Sequence, residues 1–369
     1  MKALSEKVFL KLHMPNSKDR KSDRDRILDK LKIKYKNVDM PYKITKDLYP
    51  KCRESNFEIT VTLVKRTYDW VVTRIEQGDK TDKNYGLCVD LGSTTVIMRL
   101  VDLNTGDIVV EEGCFNKQIS FGEDILNRIF YTRNSKEKLY EIHKATIYTF
   151  SELIDIITEK SKINSEDISV MTVAGNTTMI HFLLNIDPWT IFQMPYTPIF
   201  NHTGFISCDE IGIPINGYLY CFPSVANYLG GDIVSGVLFT EIYKQKELSA
   251  FIDIGTNGEL VIGNEEFLVA VAGAAGPALE GSISKFGMRA KEGAIDTIKI
   301  VDNNIKYTTI ENKKPLGICG SGIVDLLSEM FLNGWIDFSG ELKENASKNI
   351  PPNRKRYVTI QNFGHFFES

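Results

Sequence analysis

The sequence predicts an α/β protein of two similar lobes, preceded by a small α+β domain. Three observations predict it: a duplicated hairpin motif, glycine-marked alternation of strands with helices, and a chain long enough for more than one core. The first hairpin copy is Tyr85-Gly86-Leu87-Cys88-Val89-Asp90-Leu91-Gly92-Ser93-Thr94-Thr95-Val96. The second is Phe251-Ile252-Asp253-Ile254-Gly255-Thr256-Asn257-Gly258-Glu259-Leu260-Val261. Each is an apolar strand ending in Asp, an apolar residue, Gly and a hydroxyl residue, followed by a second apolar strand. The Asp supplies a carboxylate that can hold a metal ion through water. Gly permits positive φ and close approach of backbone to ligand. The hydroxyls and turn amides offer donors to phosphate oxygens. One such hairpin is equally well an ordinary tight turn. Two, at matching places in two halves of a chain, point to a duplicated fold gripping a phosphate chain from both sides.

Composition narrows the class. With 369 residues and 43% hydrophobic content, two or three domains are expected. A net charge of −4 argues against general nucleic-acid binding. The first 50 residues carry 14 Lys/Arg against 7 Asp/Glu, concentrated in Lys18-Asp19-Arg20-Lys21-Ser22-Asp23-Arg24-Asp25-Arg26. That run reads as a solvated, charge-laced helix or as a dock for an acidic protein. The six cysteines, Cys52, Cys88, Cys114, Cys208, Cys221 and Cys319, show no C-x-x-C pair and no zinc or iron–sulfur spacing. Most lie in apolar strands and are expected to be buried free thiols of a reducing compartment. The N-terminus carries charges where a signal peptide needs an apolar core, and no apolar run approaches membrane-spanning length. A cytoplasmic protein without membrane contact is expected.

Along the chain, residues 1–36 read as a linker segment with a strand at Lys7–Leu12 and a basic amphipathic helix capped by Ser22 or Asp23. Residues 37–82 read as a small α+β middle domain with strands at Glu58–Lys65 and Trp70–Ile75. Gly78-Asp79-Lys80-Thr81-Asp82-Lys83-Asn84 is a polar linker. Residues 83–225 form lobe I: strands to about Val110, helices over Gly122–Thr132 and Ser135–Lys162, and a strand at Ile168–Val173 leading to Gly175-Asn176-Thr177-Thr178. Asp187-Pro188 has the form of a helix start. A strand at Tyr218–Phe222 precedes a helix over about Asn227–Tyr243. Residues 226–369 form lobe II, in which Gly273–Gly281 turns into a short helix and Thr297–Thr309 is β-rich. There Gly317-Ile318-Cys319-Gly320-Ser321-Gly322 opens an apolar helix running to about Phe331.

The motif set resembles the superfamily of acetate and sugar kinases, heat-shock chaperone ATPases and actin, which implies the duplicated, ribonuclease H-like, two-lobed ATPase fold. Asp90–Thr95 matches its first phosphate motif and Asp253–Gly258 its second. Ala174–Thr178 occupies the place of its connecting motif, and Gly317–Gly322 matches its adenosine motif. Within that superfamily the chain resembles reductive activators of corrinoid-dependent proteins. The resemblance rests on Lys7–Leu12 with Asp23, on Trp70–Thr73 and Glu76–Asp79, and on Ser120-Phe121-Gly122-Glu123-Asp124, Ala226–Asp232 and Gly276–Arg289. It covers nearly the whole chain. It implies ATP-driven, one-electron reduction of Co(II) corrinoid to Co(I), with a corrinoid protein as partner. Related chains carry an iron–sulfur domain before the linker and further helices after the adenosine-motif helix. Here no cluster ligands are present, so a separate ferredoxin-like donor is expected, and lobe II is expected to be incomplete.

Carried onto this sequence, the resemblance gives ATP and Mg²⁺ as cofactors. Asp90 and Asp253 would hold hydrated Mg²⁺ and orient the attacking water, or else merely cap turns. Gly92, Ser93, Thr94, Thr95, Gly255, Thr256 and Asn257 would meet the phosphates; Gly276, Glu280, Gly320, Ser321 and Gly322 would meet the nucleoside. Asn176 would belong to the hinge or the catalytic floor. Glu123, Asp124 and Asp232 lie in family blocks without an assigned chemistry. His181 reads as a packed core histidine rather than a cobalt ligand. Cys319 reads as a small residue filling a turn rather than a cluster-bridging thiol of the kind found in activators of 2-hydroxyacyl-CoA dehydratases. Trp70, Trp189 and Trp335 read as core or interface aromatics. The competing classes are a small-molecule kinase of the same fold and an actin-like nucleotide-switched scaffold. The linker helix would also allow a homodimer.

Overall fold

The N-terminal elements follow from alternation and capping. They are β1 (Ser5–Lys11), α1 (Asp23–Lys32), β2 (Val38–Asp39), α2 (Tyr42–Thr45), α3 (Leu48–Glu54), β3 (Glu58–Lys65) and β4 (Trp70–Gln77). Ser22 caps α1, its Oγ accepting the Asp25 N–H at 3.1 Å. The strands form one sheet in the order β1-β3-β4-β2. Ile27, Leu28 and Leu31 of α1 pack with Phe57, Ile59, Val61 and Leu63. The expected division at residue 36 is therefore not a break in the fold. β1 pairs with β3 along its whole length, from Ser5↔Val64 to Lys11↔Glu58, and both sides of that division share one core. The computed structural model describes residues 3–122, 124–255, 257–274, 286–343, 346, 359–360 and 364–365.

Next come β5 (Tyr85–Leu91), β6 (Thr95–Asp102), β7 (Ile108–Phe115), α4 (Ile125–Thr132), α5 (Lys136–Ser161), β8 (Ile168–Gly175) and α6 (Thr177–Leu183). They are followed by α7 (Trp189–Phe192), β9 (Phe205–Ser207), α8 (Cys208–Ile211), β10 (Tyr218–Cys221) and α9 (Gly231–Thr240). The sheet order is β7-β6-β5-β8-β10-β9. β8 runs parallel to β5 and β10, and the other pairs are antiparallel. One sheet face is apolar: Leu87, Val89, Leu91, Val96, Met98, Met171 and Val173 are buried with α5 residues such as Ile142, Phe150 and Leu153. Odd and even residues divide the faces, so Cys88 and Asp90 share the other, exposed face of β5.

The N-terminal sheet is fastened to this one by buried polar groups. Ser169 Oγ donates to Ser5 Oγ at 2.7 Å, and Asn84 Nδ2 donates to the Ser5 carbonyl at 3.1 Å. Lys7, with its side chain 1% exposed, donates to Asp167 at 3.0 Å. It also lies 2.9 Å from Glu76, though without hydrogen-bond alignment to that oxygen. Val64 and Val71 meet Val170 in a small apolar cluster beside these groups.

The chain divides into two compact units, residues 1–240 and 241–369. The expected lobe boundary at 225/226 lies earlier than this. The physical reason is that α9 packs on β8 and its first residue, Gly231, lies against Phe222. The second unit contains β11 (Ser249–Ile254), β12 (Asn257–Gly263), β13 (Leu268–Ala274), β14 (Ala294–Val301), β15 (Asn304–Thr309), β16 (Gly317–Ile318) and α10 (Gly320–Leu332). β11-β12-β13 is an antiparallel meander, like β5-β6-β7. β15-β14-β16 is a separate sheet, covered by Ile323, Leu326 and Met330 of α10 and by the fully buried Trp335. Among the described residues, no helix is long and apolar enough to cross a membrane.

Candidate nucleotide-binding site

In the first unit the Asp90 hairpin is built by strand pairing. Asp90 stands opposite Ile97 on β6 and Ala174 on β8, and Leu91 opposite Val96 and Gly175. The strand alternation that buries Val89 and Leu91 exposes Asp90 at the strand end. The turn Gly92–Thr94 then reverses the chain. A Cβ at Gly92 would lie 2.6 Å from the Thr95 carbonyl oxygen, so only glycine closes this turn.

Two further turns converge on the hairpin. A Cβ at Gly175 would lie 2.8 Å from the Leu91 carbonyl oxygen. One at Gly230 would lie 2.4 Å from the Gly175 carbonyl oxygen and 2.7 Å from Asn176 Cα. Asn176 caps α6, its Oδ1 accepting the Thr178 N–H at 3.0 Å, and Thr177 Oγ1 donates to the Ala226 carbonyl at 2.9 Å. The turns at Gly92, Gly175–Thr177 and Gly230–Asp232 therefore form one cluster. Asp232 Oδ1 accepts the Ile233 N–H at 2.8 Å, and Asp124 caps α4 through the Asn127 N–H at 2.8 Å. The segment leading out of the first unit is α9; the Ala174–Thr178 turn, expected to be the connecting motif, lies inside that unit between β8 and α6.

The hairpin is also held from behind by a network that sequence reasoning missed. Asn116, Gln118 and Arg128 are all 0% exposed. Asn116 Nδ2 donates to the Gly92 carbonyl at 2.8 Å, and its backbone N–H donates to the Thr94 carbonyl at 2.8 Å. Arg128 Nη2 donates to the Ser93 carbonyl at 2.7 Å, Nη1 to Gln118 Oε1 at 3.1 Å, and Nε to the Gly122 carbonyl at 2.9 Å. Burial pushes the Arg128 guanidinium down to about 10, which still leaves it a cation at neutral pH. Only the arginine on α4, on the hydrophobic side of an amphipathic stretch, offered a signal in the sequence.

In the second unit Asp253 stands opposite Glu259 and Ile254 opposite Gly258. This hairpin repeats the placement of the first, with its Asp one residue before the strand end. Gly255 is exposed at the turn, and Asn257 begins β12. Thr256, Gly276, Glu280 and Glu123 lie outside the described residues. The 317–322 segment is tied to β14. Ser321 Oγ donates to the Asp296 carbonyl at 2.9 Å, and a Cβ at Gly322 would lie 2.4 Å from the Ile295 carbonyl oxygen. Gly320 begins α10, with Cys319 as its buried N-cap residue; Cys319 Sγ donates to the Ile295 carbonyl at 3.2 Å.

The remaining thiols and histidines are mostly structural. Cys52, Cys208, Cys221 and Cys319 are buried, and desolvation raises Cys52 to about 11 and Cys221 to about 12. Cys88 is exposed, contrary to the expectation of burial, because it shares the open face of β5 with Asp90. His181 is fully buried, stacks on Phe200 at 4.2 Å, and its Nδ1 lies 2.7 Å from the Thr177 carbonyl. Among the described residues, no three His, Cys, Asp or Glu side chains group as a metal-ligand set. A divalent cation at Asp90 would be held by this one carboxylate through water, as suits Mg²⁺. The glycine-closed turn and the exposed carboxylate at the strand end fit that group.

Comparison with known proteins covers most of the chain. Residues 1–82 match the RACo linker region, residues 85–245 the RACo middle region, and residues 247–363 the C-terminal domain of RACo, the ASKHA domain. The corrinoid activation enzyme RamQ of Eubacterium limosum is 30% identical over 300 residues, spanning 81% of this chain and 50% of that protein. A Co(II) methylated amine-specific corrinoid protein reductase of Methanosarcina barkeri is 23% identical over 235 residues, spanning 58% of this chain and 41% of that protein. A solved structure of a reductive activator for corrinoid, iron–sulfur protein is 38% identical, with a TM-score of 0.75; the match covers 95% of this chain and 56% of that one. The chain thus spans about half the length of the relatives it matches.

Proposed function

The chain belongs to the RACo family of reductive activators of corrinoid proteins, and from that premise we propose that it is the ATP-driven part of such an activator. It binds Mg²⁺–ATP and a corrinoid protein, and it assists reduction of Co(II) to Co(I) with an electron from an iron–sulfur centre. The observation that carries this reading is the pair of Asp-ended hairpins, each opening an antiparallel meander in its own unit.

Within this reading Asp90 and Asp253 hold the hydrated cation and orient water. The 92–95 turn and Gly255, Thr256 and Asn257 meet the phosphates, and Asn176 lines the floor. Gly276, Glu280, Gly320, Ser321 and Gly322 serve the nucleoside. Bound Mg²⁺ supplies charge neutralisation at the phosphates. The energetic task is large, because each tenfold in a one-electron equilibrium constant corresponds to about 59 mV. The chain contributes by binding one state of the corrinoid protein better than the other, since only differential affinity shifts an equilibrium.

Calorimetry of the 369-residue chain with Mg²⁺–ATP is the test. Binding that Asp90→Ala and Asp253→Ala each abolish, and ATP hydrolysis stimulated by added corrinoid protein, are expected. A folded chain that binds no ATP, or that phosphorylates a sugar or carboxylate instead, would defeat the reading.

A further inference from the structure

Three consecutive carbonyl oxygens of the first hairpin, those of Gly92, Ser93 and Thr94, accept hydrogen bonds from Asn116 and Arg128. A trans peptide is planar, with its N–H pointing opposite to its C=O. Anchoring these carbonyls therefore turns the N–H groups of Ser93, Thr94 and Thr95 away from Asn116 and Arg128. Three successive amides facing one way is the arrangement that receives an anion.

The cation behind the turn is unusual for its burial. Arg128 is 0% exposed, and among the described residues it has no ion pair; its partners are two backbone carbonyls, the Gln118 amide oxygen and the Met179 sulfur at 3.5 Å. A buried cation is costly when its hydrogen-bond partners are all neutral, and the nearby Asp124 carboxylate offsets only part of the desolvation of Arg128. An anion bound on the far side of the peptide it holds would lower that cost. The same guanidinium joins the hairpin to Gly122 and to the buried Gln118–Thr146 pair, where Gln118 Nε2 donates to Thr146 Oγ1 at 2.6 Å. The orientation of the turn is thus fixed by the core of the unit.

We propose that Asn116 and Arg128 are positioning residues that aim the amides of the 93–95 turn at the phosphate chain of ATP, with Arg128 adding positive potential from behind. The inference rests on the ATP-binding reading above and assigns it two residues outside every motif matched in the sequence.

The test is calorimetry of the full chain with Mg²⁺–ATP and with adenosine, using Arg128→Met, Arg128→Lys and Asn116→Ala. Arg128→Met is expected to weaken ATP binding roughly tenfold or more while adenosine binding stays within about twofold, because the holder of the 93–95 amides and the positive potential behind them are lost, and both act on the phosphates rather than on the nucleoside. Lysine, which keeps the charge, should restore part of the affinity. A folded Arg128→Met chain that binds ATP like the wild type, or loses ATP and adenosine affinity in equal proportion, overturns the proposal. Should that variant not fold, hydrogen exchange on the wild type decides. Mg²⁺–ATP should protect the 93–95 amides and adenosine should not; an absence of ATP-specific protection there overturns the proposal. A wild-type chain that binds neither ligand defeats the ATP reading itself, and this inference with it.

Discussion

Gly230 has no room for a side chain, and that single fact brings the strand ends of the first unit together. Its hypothetical Cβ would lie 2.4 Å from the Gly175 carbonyl oxygen, while at Gly273 nothing comes nearer than 4.0 Å. Gly230→Ala should therefore destabilise the chain by about 1–3 kcal/mol through overpacking. Gly273→Ala should stay within about 0.5 kcal/mol of the wild type. Urea unfolding of both variants checks this, and equal midpoints would contradict it. Gly92 and Gly175 were legible as motif glycines, because one follows Asp90 by two residues and the other precedes Asn176 in a recognisable turn. The need for glycine at Gly230 was not, since its neighbours are Gly175 and Asn176, distant in sequence. Asn116 was hidden for the same reason, a polar loop side chain that reads as solvated until the fold buries it, and Arg128 left only its place on the apolar side of α4 as a signal.

At the scale of elements, α10 completes a sheet that its own strand leaves short. β16 pairs with β14 only at Ala294 and Ile295. Beyond it, the Ile298 N–H donates to Asp325 Oδ2 at 3.1 Å and the Ile300 N–H to Glu329 Oε2 at 2.7 Å. The two carboxylates are four residues apart on one helix face, matching alternate strand residues whose N–H groups point the same way. They cover an edge that would otherwise be open to pairing. Asp325→Ala and Glu329→Ala should each cost about 1–3 kcal/mol by leaving a strand N–H without a partner. Unfolding curves that overlay the wild type would disprove that role. Periodicity and capping placed most elements well: Glu58–Lys65 is β3, and the predicted Ser135–Lys162 helix is α5 with Ser135 and Lys162 as its caps. The predicted helix start near Asn227 failed, and α9 begins at Gly231. The Val225 N–H instead donates to the Leu229 carbonyl at 2.9 Å, closing a turn whose Ala226 carbonyl is taken by Thr177.

For the whole molecule, two buried histidines set the response to acid. Desolvation lowers both His143 and His181 below the usual imidazole value. In the unfolded chain each takes up a proton near its ordinary value of about 6.5, whereas in the folded chain that uptake is shifted to lower pH. The unfolded state then binds more protons, so stability is intact above about pH 6.5 and falls as pH drops beneath it. The slope is at most about 1.4 kcal/mol per pH unit for each histidine. Urea midpoints at pH 7.5 and 5.5 should differ accordingly, and a His143→Gln/His181→Gln variant should flatten the difference; a midpoint that does not move with pH in the wild type would refute this. The sequence by itself determined the α/β class, the duplicated Asp-ended hairpins and most element positions. These depend on side-chain periodicity and turn chemistry, which act over a few residues. Only the tertiary structure decided that residues 5–77 share one sheet-built domain, through the β1–β3 pairing, and that Lys7, Asp167, Ser5 and Ser169 fasten it to the next sheet. Only the tertiary structure, likewise, set Asn116 and Arg128 behind the phosphate turn. Such contacts join residues far apart in the chain, and their energies come from burial and desolvation that no local pattern encodes.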